Sequence, residues 1–180
     1  MKPNLTKEEI AFYILKAQED FNKYAGSLTN EGFFNQPGNK WSVAQHTRHL
    51  ITSVNSARLA YSLPKLFVKW IGGIANRPSM TYHDLVSKYK MKLEKGGRAN
   101  GRYIPKPVLN KYNPKKILQE LDNAAKKMAA SLKKNSTEAD LDNYVVPHPL
   151  LGKITLRELG YFTIYHTYHH LNNISGSFGS

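Results

Sequence analysis

Apolar residues recur at helical spacing along four stretches of the chain. From about Thr6 to Leu28, Ile10, Ile14, Ala17, Phe21 and Tyr24 fall on one stripe, with Glu8 and Glu9 near the positive end. A second stretch opens at Ser42, where Ser42 and Gln45 have capping-box spacing, and runs to about Ser62, before Pro64. A third opens at Asn113-Pro114, a cap residue followed by proline at the first helical position, and carries Ile117, Leu121, Ala124, Met128 and Leu132. A fourth opens with Thr155 and Glu158, again at capping-box spacing, and is expected to end near Ile174 with Gly176 as its stop. No stretch alternates as a strand with hairpin turns, and no repeat period is visible. The pattern predicts an all-α protein, a four-helix bundle.

The segment from about Leu63 to Tyr112 is long for a connection, since loops beyond roughly 15 residues are uncommon in compact domains. A short helix over Tyr82 to Leu93 is expected inside it, followed by the turn Lys95-Gly96-Gly97-Arg98. Its apolar start, Leu63 to Ile74, is interrupted by Pro64, Lys65 and Lys69 and is too short to span a bilayer. Phe67 and Trp70 in it are expected to pack on the bundle or on a dimer partner. Met1 to Glu9 is polar and lacks the form of a signal peptide, so a cytoplasmic protein without membrane contact is expected.

With 180 residues and 41% hydrophobic content, the chain is read as one domain over 1–180 with a sizeable core. The 26 Lys+Arg against 13 Asp+Glu give a formal net charge of +13. That excess is local: residues 1–80 carry +5, residues 81–135 carry +10 and residues 136–180 carry −2. A general nucleic-acid coating role is therefore not expected, and the charge points to one basic face. The absence of cysteine excludes disulfides, thiolate metal sites and a catalytic Cys, leaving His, carboxylates and hydroxyls for any chemistry.

Five of the seven histidines lie on two of the predicted helices: His46 and His49 on the second, His166, His169 and His170 on the fourth. At 100° per residue, His166 and His170 sit about 40° apart, one turn above each other, on a face shared with Leu159, Phe162 and Thr163. Two imidazoles at i and i+4 facing inward form a chelating pair for a divalent metal. No Glu follows His166, so the built-in general base of the HExxH motif is missing. His169 falls on the flank, and His83 and His148 lie in loop-like contexts. On the second helix the apolar stripe of Val43, Leu50, Val54, Ala57 and Tyr61 favours His46 as the inward ring, with His49 towards a flank beside Ser53 and Ala60.

The string Trp41-Ser42-Val43-Ala44-Gln45-His46-Thr47-Arg48-His49-Leu50 resembles the start of the second helix in the DinB/YfiT-like family. So does His166-x-x-x-His170-Leu171-Asn172-Asn173-Ile174 near the C-terminus, and the segments Asn76-Arg77-Pro78-Ser79 and Pro147 to Lys153 resemble one subgroup. The resemblance covers essentially the whole chain. It implies a four-helix bundle in up-down-down-up order, its long crossover matching 63–112. It also implies a divalent metal, most often nickel or zinc, held by three histidines, and a homodimer. The family's metal-binding His lies eight residues after the Trp and before a Leu, which here is His49; the other two ligands are His166 and His170. Where the family often has Gln after the last ligand, this chain has Asn173.

Characterised relatives are S-transferases and isomerases that use low-molecular-weight thiols such as bacillithiol, mycothiol or glutathione. The resemblance therefore implies a metal-dependent transfer of a thiol cofactor to a small electrophile, a detoxification reaction. The cations Lys92, Lys95, Arg98 and Arg102 are expected to attract carboxylates or phosphates of thiol or substrate. Core or interface roles are expected for the tyrosines, with Tyr165 and Tyr168 the place to look for an acid near the metal. Asp84 and Glu158 are candidate acceptors behind the ligands, and Trp41 a packing anchor for the second helix. The alternative is a non-catalytic binding module with a structural metal, in which Arg98, Arg102, Tyr103 and Tyr112 contact nucleic acid or an acidic partner.

Overall fold

The structure is a computed structural model and describes residues 4–177. Four long helices carry it: α1 (Lys7–Gly26), α3 (Val43–Ser62), α6 (Pro114–Asn135) and α8 (Leu156–Ser177). Between them lie α2 (Asn30–Phe34), α4 (Lys65–Ile71), α5 (Tyr82–Glu94), a 3-10 turn at Gly101–Tyr103, and α7 (Glu138–Asn143). The protein is mostly helical, as its hydrophobic periodicity predicts.

Each long helix begins where the sequence supplies a partner for its free amide groups. Thr6 and Glu9 cap α1 reciprocally, and Ser42 and Gln45 do the same for α3. Asn113 Oδ1 accepts from the Lys115 amide at 2.9 Å, with Pro114 inside the first turn of α6. Thr155 and Glu158 exchange side-chain to backbone bonds of 3.2 and 2.9 Å before α8. The ends depart slightly from expectation: α1 stops at Gly26, and α8 runs through Gly176 rather than stopping there.

α6 packs on α1 and α3, and α8 packs on the same two from the other side, closing a four-helix ring. Its interior is filled by Ile10, Phe21, Leu50, Tyr61, Leu121, Met128, Leu132 and Tyr161, all essentially without solvent contact. Burying such side chains stabilises by about 1.5–3 kcal/mol each before ordering costs. The two buried tyrosines are also tied by hydrogen bonds: Tyr61 donates to the Leu156 carbonyl at 2.8 Å, and the Leu5 amide donates to Tyr161 at 2.9 Å.

One expectation is corrected. The chain does contain strands: β1 (Val145–His148) and β2 (Gly152–Thr155) pair antiparallel, with His148 opposite Gly152. Four residues per strand give too little alternation to register as a sequence pattern, and Gly152 supplies the positive φ (76°) that turns the chain back.

The 63–112 connection holds the short helix expected there, α5, and in addition α4 and the 3-10 turn. α5 lies on α8 and the 3-10 turn on α3, so the connection reaches both walls of the α3/α8 seam. Its root is held by Arg77, which makes a two-pronged ion pair of 2.5 and 2.9 Å with the fully buried Glu158. Glu158 also accepts from the Met80 amide at 2.6 Å. α4 is held differently: a Cβ on Gly72 would lie 1.7 Å from the Val145 carbonyl oxygen, so glycine is what lets the end of α4 meet β1. α4 buries Val68 alone, leaving Trp70 83% and Leu66 76% exposed, with Phe67 and Ile71 beside them. Of the two places expected for Phe67 and Trp70, the bundle and a dimer partner, the bundle is not where they pack. Among the described residues no helix is long and apolar enough to cross a membrane.

Candidate metal centre

The Ser42 cap fixes the start of α3 and places His46 and His49 one turn apart, facing α8. On α8, His166 and His170 stand four positions apart. All four rings are buried, at 5–7% exposure. His46 and His49 are thus not alternatives for one inward position. A 20-residue helix squeezed between α6 and α8 buries more than one stripe, and both histidines lie inside.

Their roles differ in geometry. His49 Nε2 lies 3.0 Å from His166 Nε2, which lies 3.0 Å from His170 Nε2. Each of these three residues offers a nitrogen within 4.8 Å of the others, a group that could hold a metal ion. His46 stands behind them, its Nδ1 2.7 Å from His170 Nδ1. His49 Nδ1 faces the Tyr103 carbonyl oxygen at 2.6 Å. A carbonyl only accepts, so His49 carries its proton on Nδ1 and turns a bare lone pair towards the cluster at Nε2.

A divalent ion fits this donor set. A proton on His166 Nε2 can serve one neighbouring nitrogen, which leaves the other facing it lone pair to lone pair; one cation satisfies all three. The rings are also held in the neutral form that binds metals. Burial lowers the pKa of His49, and burial followed by the neighbouring rings pushes His166 and His170 far down. His46 is brought down to about 4, by burial first and then by His49. Trp41 packs over this group, stacked on His170 at 6.2 Å and 13°, and 5.1 Å from His49. It is the expected anchor, with the histidines themselves as its contacts.

The cluster opens into a cavity of about 1130 Å³. Tyr89, Tyr103, His148, Phe162 and His169 contribute to its walls, and Lys40, Arg98 and Arg102 are its cations. No Asp or Glu is among the described lining residues. Of the four cations expected near the site, Arg98 and Arg102 line the cavity, whereas Lys92 and Lys95 do not.

Several other expectations are corrected. Tyr168 donates to Asp20 at 3.0 Å, towards α1, and neither it nor Tyr165 lines the cavity. Tyr89 and Tyr103 are the tyrosines that do. Glu158 is committed to Arg77 and the helix cap, two turns before His166, and the Asp84 carboxylate accepts from the hydroxyl of Thr81, the cap residue of α5, at the surface. Neither stands behind the histidines. Tyr103 turns its backbone carbonyl to His49, while Arg102 lies 5.1 Å over its ring. Arg98 donates to the Leu93 and Gly97 carbonyls. His169, on the flank as expected, is half-buried against Tyr165 and lies 3.3 Å from Asn173.

Two features escaped the sequence. The Tyr103 contact uses a backbone oxygen, which leaves no trace in residue identity. His148 sits between two prolines in a hairpin that periodicity does not reveal; its position within the Pro147 to Lys153 segment was the one available signal.

A search of curated proteins finds no match to this sequence. A family model described as the DinB superfamily matches residues 13–174, a span that contains α3, all but the last residues of α8 and every histidine of the cluster. The chain belongs to the DinB superfamily.

Proposed function

We propose that this protein is a divalent-metal-dependent enzyme that transfers a low-molecular-weight thiol to a small electrophile, with His49, His166 and His170 as the metal ligands. The observation that carries the reading is the convergence of their three Nε2 atoms at the floor of a cavity. Three neutral imidazoles leave coordination positions open, as catalytic sites do, and suit zinc or nickel. A metal held there supplies Lewis acidity, keeping a bound thiol as its thiolate.

The protein's own residues supply the rest. Tyr103 and His46 orient the ligand rings from behind, an arrangement that raises ligand basicity and fixes tautomers. Phe162 and Tyr89 provide apolar walls, and Lys40, Arg98 and Arg102 attract anionic groups on the incoming molecules. The thiol S–H bond breaks, a bond forms from sulfur to the electrophilic carbon, and the proton leaves with the displaced group. With no carboxylate among the described lining residues, none of these supplies an acidic side chain to compete for the metal. The same reading includes a homodimer, supported by the unpartnered apolar face of α4.

Metal content of the purified protein tests this. Alanine at His49, His166 or His170 is expected to abolish stoichiometric metal. His46→Ala is expected to keep the metal with affinity weakened roughly 10–100-fold. Metal loss in His46→Ala with retention in His49→Ala would overturn the ligand set. Failure of the fully loaded protein to consume any thiol with an electrophile would leave the metal a structural role only.

A further inference from the structure

His148 has a geometry that the metal reading does not use. It ends β1, and the chain folds back over it so that the amides of Leu150 and Leu151 both donate to its Nδ1, at 3.2 and 3.1 Å. Two donors on one ring nitrogen require a lone pair there, so the proton of the neutral ring sits on Nε2. Burial holds the ring neutral, with its pKa brought down to about 4. No described residue accepts from that Nε2–H, and His148 lines the cavity.

Its distance from the cluster is set by one aromatic ring. His148 meets Phe162 edge-on at 4.2 Å, and Phe162 stacks on His166 at 4.7 Å and 22°. The His148 ring is therefore one ring removed from the clustered histidines, and the described lining of the cavity holds three cations and no acid. A neutral N–H in such a place matches an anionic oxygen: a charged acceptor strengthens the bond, and no carboxylate among the described lining residues competes for it.

We propose that the His148 Nε2–H donates to a carboxylate carried by the molecule that occupies the cavity, making His148 a substrate-positioning residue and the substrate or thiol a carboxylate-bearing one. The assignment rests on the cavity being the substrate site of the function proposed above. The β-hairpin then has a purpose beyond connection: its turn presents two amides that lock the histidine's tautomer.

Two probes of equal carbon chain separate the carboxylate from the sulfur: 3-mercaptopropionate and 1-propanethiol, titrated calorimetrically into the zinc-loaded protein. The wild type is expected to bind the carboxylate-bearing thiol more tightly. His148→Phe is expected to lower that affinity roughly tenfold or more and leave propanethiol unchanged. His148→Gln, whose amide nitrogen stands near the position of Nε2, should recover part of the loss. Nitrogen NMR of the wild type reads the tautomer directly, with the proton expected on Nε2. A proton on Nδ1, or equal effects of His148→Phe on both thiols, would overturn the proposal. If neither thiol binds but propionate still shifts the His148 Nε2 resonance, the thiol reading falls and the His148 assignment stands. If propionate also leaves that resonance unmoved, the assignment falls.

Discussion

His46 is a ring that folding places out of water and holds neutral, its pKa brought from 6.5 to about 4. The unfolded chain takes up a proton on this residue below pH 6.5, whereas the folded chain resists until about pH 4. Stability is therefore whole above pH 6.5 and falls as the pH drops towards 4, by roughly 3 kcal/mol for this group at full extent. His49, His166 and His170 shift in the same direction for the same first cause, burial. Urea unfolding of the metal-free protein should give a nearly constant midpoint between pH 7 and 8 and a clearly lower one at pH 5. Replacing His46 with Gln should make that decline shallower. At this scale the sequence was partly legible. The i, i+4 pair on α8 announced itself by spacing, but the stripe that favoured His46 could not distinguish a ring in the convergence from one standing behind it.

Among the elements, α8 carries two of the clustered histidines and depends on close approach to α1. A Cβ on Gly160 would meet Ile10 Cγ2 at 2.5 Å and Tyr61 Oη at 3.3 Å. Ile10 is fully enclosed, so it has no free direction in which to yield. Gly160→Ala should move α8 outward and cost about 1–3 kcal/mol, the usual range for overpacking. Because His166 and His170 ride on the same helix, its metal affinity should fall along with its thermal midpoint, as measured by calorimetry and metal titration. The four long helices were legible because period and cap are both local signals carried over many residues. α2, α4, α7 and the hairpin were not, since four to seven residues hold too few positions to define a period. Their existence is set by what they pack against.

For the whole molecule, the charge of +13 and the apolar face of α4 pull in different directions. Like charge keeps copies apart, while Leu66, Phe67, Trp70 and Ile71 present an apolar surface that no described residue covers. A homodimer through α4 predicts a two-chain mass by sedimentation equilibrium. Paired Leu66→Asp and Trp70→Asp substitutions should reduce it to one chain without loss of helical content. Composition announced the charge and its concentration in the middle third. It could not show that part of it, Arg98 and Arg102, folds over the histidine cavity, because that depends on where the crossover returns.

Part of that return is a backbone contact, the Tyr103 carbonyl on His49 Nδ1, with the Tyr103 ring edge-on to the same imidazole at 6.5 Å. Any ion drawn to the other side of that imidazole strengthens its grip on the carbonyl, so occupancy of the site and order of the crossover are thermodynamically linked. Trypsin becomes a reporter of metal. Chelated protein should be cut quickly at Lys95, Arg98 and Arg102, and protein saturated with zinc should resist, with His49→Ala cut at the fast rate under either condition.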